Sequence, residues 1–393
     1  MKRVVLVTLA LTLAGMPVAA AENDESCVKC FMESCTDLEP LFNGKDMTGW
    51  RVVSGKEWEI EDGVMTGPIK TPGWIATEEE FDNFVLSLEY WVSRNETHES
   101  NSGNFFRAGL EGSPWINGYE CQVSLQDKNN PTGSIYNRVP THLERMKRIA
   151  PEKQWNKMTI YAYGPHIAVM VNGEMVQDCT LHDSDKGVIG VQMHHEGVTI
   201  KYRNIGIKRL TEKPPCEEGW RPVFSGVDFT GWTVRGKALW EVKDNTLVGT
   251  GGMGHIYYTA ERFKDYEMRA MIRINEDGNS GFYFRSRPPE DNIDGWPRGY
   301  ECQVDNHDMR NFTGAVYGKQ NGKELITRDE AWFSERVRVE GDHIRTWVNG
   351  VAVADMTDDR EAKGLLGFQV HGVGKKTEPL VVRWRNIRIK ELK

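Results

Sequence analysis

The feature that most constrains this chain is that it contains one pattern twice. Pro40-Leu41-Phe42-Asn43-Gly44, Asp46 and Thr48-Gly49-Trp50 return as Pro222-Val223-Phe224-Ser225-Gly226, Asp228 and Thr230-Gly231-Trp232. Asn101-Ser102-Gly103 with Arg107 returns as Asn279-Ser280-Gly281 with Arg285, and Gly118-Tyr119-Glu120-Cys121-Gln122-Val123 as Gly299-Tyr300-Glu301-Cys302-Gln303-Val304. Gln192 and His194 are matched by Gln369 and His371, and Arg203-Asn204-Ile205 by Arg385-Asn386-Ile387. The offset stays near about 180 residues, far longer than a solenoid unit, so it marks a duplicated domain. Residues 39–210 form one copy and 222–393 the other, joined by a linker at 211–221 around Lys213-Pro214-Pro215-Cys216.

Within each copy, short runs rich in β-branched and aromatic residues alternate with turn residues. Val85–Val92 and Glu335–Glu340 are examples, and Asn349-Gly350 and Gly341-Asp342 read as hairpin turns. Only 142–149 and 359–363 suit a short helix. So many strands in one domain predict an all-β fold of two packed sheets. An immunoglobulin sandwich fits less well, because its Cys…Trp…Cys spacing is missing and the domain is too long.

Lys2-Arg3, the apolar run Val4–Ala14 and Ala19-Ala20-Ala21 read as a secretory leader cleaved near Ala21, which places the mature protein in a periplasm or outside the cell. No second apolar run is long enough to span a membrane. The formal charge is −8 and Lys and Arg are not clustered, which excludes a nucleic-acid ligand. Seven cysteines occur. Cys121, Cys179 and Cys302 fall in strands. Cys27, Cys30, Cys35 (in the segment 22–38) and Cys216 make an even set, read as a structural clip of two disulfides with three pairings open. Zinc is the weaker reading, because no histidine lies near that cysteine cluster.

Strand alternation separates an apolar face from a hydrogen-bonding one. Tyr300, Cys302 and Val304 share a face, with Glu301, Gln303 and Asp305 on the other. Phe282 and Phe284 oppose Tyr283 and Arg285, and Leu366, Phe368 and Val370 oppose Gly367, Gln369 and His371. The first copy repeats this with Arg107, Glu120, Gln122, Gln192 and His194. A solvated sheet face is the plain reading. Recurrence of Arg, Glu, Gln and His at matched positions makes a ligand groove the stronger one. Trp115 and Trp296 hold matched positions, for stacking on a sugar or for packing a loop. Trp50, Trp232, Trp155 and Trp332 are assigned to the core, and Asp46 and Asp228 to turns rather than calcium.

The Leu-Phe-Asn-Gly-x-Asp-x-Thr-Gly-Trp opening, Asn-Ser-Gly…Arg, Gly-Tyr-Glu-x-Gln, Gly-x-x-Gly-x-Gln-x-His and Arg-Asn-Ile-x-Ile together resemble the 3-keto-disaccharide hydrolase domain family, across both copies. The resemblance implies tandem concanavalin A-like jelly rolls acting on oligosaccharides or glycosides oxidised at C3, with neither metal nor cofactor assigned. The first copy departs from the second at Ser124 for Asp305 and Phe105 for Tyr283; the second has Phe333 for Asn156. The second copy is therefore the preferred catalyst.

A C3 ketone acidifies the C2 proton, so the C1–O bond can break by elimination, with His371 or Glu301 as base and Arg285 with Gln303 or Gln369 holding the developing charge. Water addition would complete hydrolysis; without it the enzyme is a lyase. A retaining glycosidase using Glu301 and Asp305, a non-catalytic carbohydrate-binding protein and an envelope scaffold are the alternatives.

Overall fold

In the computed structural model, which describes residues 27–96, 98–288, 296–372 and 379–392, each copy is a concanavalin A-like jelly roll of antiparallel strands. The expected leader lies outside the described residues. In the first copy β1 (Gly73–Phe81), β2 (Ser102–Ala108), β3 (Tyr119–Val123) and β4 (Gly187–Met193) form a sheet in the order β1-β4-β2-β3, with Trp50–Ser54 outside β1. In the second, β5 (Thr246–Phe263), β6 (Asn279–Arg287), β7 (Arg298–Asp305) and β8 (Gly364–Val370) lie in the order β5-β8-β6-β7.

The opposing layer of the second copy runs through Val381–Glu391, Tyr266–Ile274, Phe333–Glu340, His343–Val348 and Val351–Thr357. β5 belongs to both layers. Its Leu247–Thr250 stretch pairs with 381–384, and Gly254–Tyr258 pairs with β8. The chain turns between them at Gly251, whose φ of +87° favours a residue without Cβ. The first copy is interrupted here, with Val64–Thr66 in one layer and β1 in the other.

Alternation sets the core. Phe282, Phe284, Cys302, Val304, Leu366 and Phe368 are fully buried between the layers, and Phe368 stacks on Trp384 with ring centroids 4.1 Å apart. A side chain buried to that degree contributes roughly 1.5–3 kcal/mol. Cys121 and Cys302 are likewise sealed, and burial pushes both thiols up, away from the reactive thiolate. Trp50 and Trp232 are buried, their indoles donating to Leu41 O at 2.9 Å and Val223 O at 2.8 Å. Trp155 and Trp332 depart from their core assignment: they are half-buried and carry Arg203 and Arg385 on their faces. Asp46 and Asp228 accept turn N–H groups from Thr48 and Thr230.

One expected helix forms, α2 at Leu143–Ile149, while 359–363 stays non-helical. The cysteine-containing segment folds as α1 (Cys27–Ser34), burying Val28 and Met32 against Tyr161, Met170, Leu210 and Cys216. Cys27 is hydrogen-bonded to Cys216, which draws the Cys27 thiol down to about 7. Both are thiols here, so of the expected clip the structure shows a meeting of two cysteines.

The linker is not a loose tether. Its Glu217 is buried and accepts from Tyr161 Oη at 3.0 Å and from His166 Nδ1, whose Nε2 lies 2.8 Å from Asp178 Oδ1. Arg269, from the second copy, closes the cluster 3.3 Å from His166 and stacks on Trp220. Burial opposes every charge here. The mutual attraction outweighs it, raising His166 and lowering Asp178 and Glu217, the last to about 2.

The sign of the pH dependence follows. The Glu217 contribution is complete above its unfolded value of 4.5 and is lost as pH falls toward 2. The His166 contribution is complete below 6.5 and is lost as pH rises through its elevated folded value. Urea midpoints should therefore decline on both sides of the window between these values. Glu217→Gln should cost about 3–5 kcal/mol at its centre, as expected when a buried ionic cluster loses one partner.

Candidate active site

The polar face of β5–β8 gathers the site. Tyr283 on β6 lies directly opposite Glu301 on β7 and Gly367 on β8, and Gln369 lies opposite His255 on β5. Gln369 Nε2 donates to Tyr283 Oη at 2.8 Å, and the Tyr283 hydroxyl reaches the Glu301 carboxyl. His255 stands edge-on to Tyr283 at 5.3 Å and stacked beside Tyr257 at 5.7 Å. Trp296, 57% exposed, closes the rim between His255 at 6.4 Å and His371 at 5.5 Å. His371 Nδ1 is 2.9 Å from Gly372 O.

The glycine of Asn-Ser-Gly has a specific reason. A Cβ on Gly281 would fall 1.9 Å from Glu301 Oε1, and one on Gly103 would fall 2.0 Å from Glu120 Oε1. The carboxyl thus lies close over the neighbouring strand, with Glu120 buried and Glu301 half-buried. Burial pushes Glu301 up to about 8, against the opposing pull of the Tyr283 hydrogen bond. Near neutrality that shift favours the protonated carboxyl. Burial and the neighbouring His371 hold His255 down to about 4, so its ring is neutral. His255 Nε2, Tyr257 Oη, Gln303 Oε1 and Gln369 Oε1 are buried without hydrogen-bond partners among the described residues. Orphaned polar atoms on one face are what an absent ligand would satisfy.

Three expected site residues have other work. Arg285 is fully buried at a bulge, with φ +46°. It donates to Lys264 O, Gly341 O and Asp265 Oδ1 at 2.8, 2.7 and 3.0 Å. Arg107 is the same device at φ +49°, donating to Asp82 O, Gly164 O and Asn83 Oδ1. Both arginines tie loop ends together and leave the groove. Asp305 receives Asn279 Nδ2 at 2.8 Å and the N–H groups of His307 and Asp308. It caps its own turn, which removes the carboxylate pair that a retaining glycosidase needs. His255 and Tyr257 add to the residues expected from sequence; the alternation along Gly254-His255-Ile256-Tyr257 is the signal that places them on this face.

The first copy keeps half of this. Trp115, Glu120, Gln122, Gln192 and His194 line a recess of about 50 Å³ with Asn101 and Tyr136. Trp115 packs edge-on to Tyr136 at 5.4 Å. Burial, with Asp127, pushes Glu120 up to about 8. With its amide turned to donate, Gln122 reaches Glu120 Oε1 at 3.2 Å. Register places Trp74, Ala76 and Phe105 where the second copy has His255, Tyr257 and Tyr283. The proton-handling and hydroxyl groups are absent from those positions.

The 3-keto-alpha-glucoside-1,2-lyase-like domain model matches residues 37–208 and 219–390, one match per jelly roll. The chain belongs to this family. Such lyase-like domains are carbohydrate-active, and two of them make up nearly the whole described chain. The chain is similar to a solved Parabacteroides distasonis protein named as a candidate glycosyl hydrolase, with 22% identity over 47% of this chain and 99% of that one, TM-score 0.40. A second candidate hydrolase from that organism shows 25% identity over 44% and 98%, TM-score 0.37. A Bacillus subtilis carbohydrate-binding module shows 17% over 41% and 96%, TM-score 0.33. None of the curated proteins matches in sequence. Among the described residues of this lyase-like chain, no group of three His, Cys, Asp or Glu side chains is placed to hold a metal ion.

A Cβ at 281 would also stand 2.7 and 2.8 Å from Glu301 Cδ and Cγ, so Gly281→Ala should push the whole Glu301 side chain aside. Its thermal midpoint should fall below that of wild type.

Proposed function

We propose that the second jelly roll cleaves glycosides oxidised at C3 by elimination across C1–C2, and that the first binds glycan without turning it over. The observation that carries this reading is one sheet face that brings together the Glu301 carboxyl, the His255 imidazole with Nε2 unpartnered and the unpartnered Tyr257 hydroxyl. Those are the acid, the base and the enolate donor that the chemistry needs.

His255 Nε2 takes the C2 proton, and the electrons of that C–H bond form C2=C3 as the carbonyl electrons move onto the C3 oxygen; their return restores the carbonyl and shifts the double bond to C1=C2. The C1–O bond breaks, and the departing oxygen takes the proton of Glu301. The Tyr257 hydroxyl, rather than the guanidinium of Arg285, donates to the C3 oxygen as negative charge develops there. Gln303 and Gln369 orient the ring hydroxyls, and Trp296 with His371 forms the rim against which the sugar rests. Later addition of water across the new double bond gives net hydrolysis. The leader pattern fits this chemistry in a periplasm or outside the cell.

A second reading applies to the first copy alone. Trp74, Ala76 and Phe105 remove the base and both hydroxyls but leave Trp115, Glu120, Gln122 and Gln192 in a recess, which favours binding over catalysis.

The test is the full chain incubated with a 3-keto-α-glucoside and with the parent glucoside. Only the ketone should be cleaved. The acid must be protonated and the base unprotonated, so kcat/KM should fall as pH rises through about 8 and as it drops through about 4. Glu301→Gln should lose about 10²–10⁴-fold and the alkaline limb with it. Equal cleavage of the unoxidised glucoside, or full activity in Glu301→Gln, would overturn the reading.

A further inference from the structure

Register lets the two copies be compared position by position, and one pair differs in kind. In the first copy Arg203 lies over Trp155, its Cζ 4.1 Å from the ring centre, and Nε donates to Glu89 Oε2 at 2.7 Å. Glu89 is its cross-strand partner. In the second copy Arg385 lies over Trp332 at 4.0 Å, but its cross-strand partner is Met271. The cation and its aromatic shelf are kept and the carboxylate is gone. Arg385 Nε is buried with no hydrogen bond among the described residues. A partly desolvated guanidinium whose Nε donates to nothing is costly, though Asp183 attracts it, and an anion arriving from outside relieves that cost.

Arg385 lines a cleft of about 920 Å³ between the two domains, in the size range of ligand sites. Arg138, Arg273 and Arg388 line it too, against two acids, Asp183 and Asp244. Asp183 is taken by Arg138 at 3.1 Å, and Arg273 by Glu330 at 2.9 Å. Arg388 stands where the first copy has Gly206, so the excess of positive charge is particular to this cleft. In a chain of formal charge −8 that is a local reversal of sign. Asn245 and His182 at the wall offer groups suited to hydroxyls, with His182 Nε2 3.1 Å from Asn386 Oδ1. None of these residues lies on β5–β8, so the cleft is separate from the candidate active site.

We propose that the interdomain cleft binds an acidic saccharide, its carboxylate taking on Arg385 the place that Glu89 occupies on Arg203. The planar guanidinium fork matches a carboxylate, and the shelf beneath it fixes the fork's orientation.

Calorimetry on the full chain tests this with trigalacturonate, its methyl ester and galacturonic acid. Trigalacturonate should bind at least about tenfold tighter than the uncharged ester, and high salt should erode the difference. Arg385→Gln should lose that preference. Met271→Glu should lose it as well, because it returns an internal carboxylate to the arginine. Should the buried glutamate prevent folding, Arg385→Met, long enough to stay on Trp332, decides in its place. Glu301→Gln should bind trigalacturonate as wild type does, which separates this inference from the catalytic reading. Galacturonic acid matching the trimer would assign a free sugar acid, and weaker binding a chain. Equal affinity for acid and ester, or unchanged binding in both Arg385 variants, overturns the proposal.

Discussion

A residue in a β-strand can face only two ways, and everything functional here depends on that constraint. One face of β5–β8 is committed to Phe282, Cys302, Leu366 and Phe368, which hold the two layers together. The other is left with His255, Tyr257, Tyr283, Glu301, Gln303 and Gln369, fixed in register by a backbone that cannot shift by one residue without exposing the core. The core is thus what orders the polar groups. The close strand-to-strand approach, with Gly281 clearing space for the Glu301 carboxyl, limits its contact with water and favours its protonated form.

Duplication then allowed the copies to diverge without disturbing the scaffold. The arginines at the bulges, Arg107 and Arg285, do the same structural task in each. So do the turn aspartates and the indole hydrogen bonds of Trp50 and Trp232. What differs is concentrated in two places. On the site face, Trp74, Ala76 and Phe105 replace two hydroxyls and an imidazole. At the domain interface, Met271 and Arg388 replace Glu89 and Gly206, moving the second copy from internal charge pairing to a surplus of cations. The buried His166, Asp178, Glu217 and Arg269 cluster joins the two halves so that this interface has a definite shape.

Much of this was legible in the sequence. The repeat located both jelly rolls, and alternation placed Glu301, Gln303, Gln369 and Tyr283 on one face because those strands are regular where these residues lie. Alternation failed at Arg285 and Arg107 for a physical reason: a left-handed residue in a bulge breaks the two-residue count, so neither side chain points where parity says. Asp305 ends its strand, where a short carboxylate competes for local N–H groups rather than facing a ligand. His255 and Tyr257 escaped because the first copy has Trp74 and Ala76 there, and comparison between copies is silent where they have diverged. Trp155 and Trp332 read as core on hydrophobicity alone, yet each serves as a platform for an arginine.

The protonation of one side chain decides whether the sheet face can act as proposed. Infrared difference spectra between the full chain and Glu301→Gln, recorded across the pH range, isolate the Glu301 carboxyl stretch. The structure predicts a protonated carbonyl band that persists through neutrality and disappears near pH 8. A Glu301 that is already ionised near its ordinary value of 4.5 would contradict the account, since neither the shielded acid nor the roles built around it would then exist.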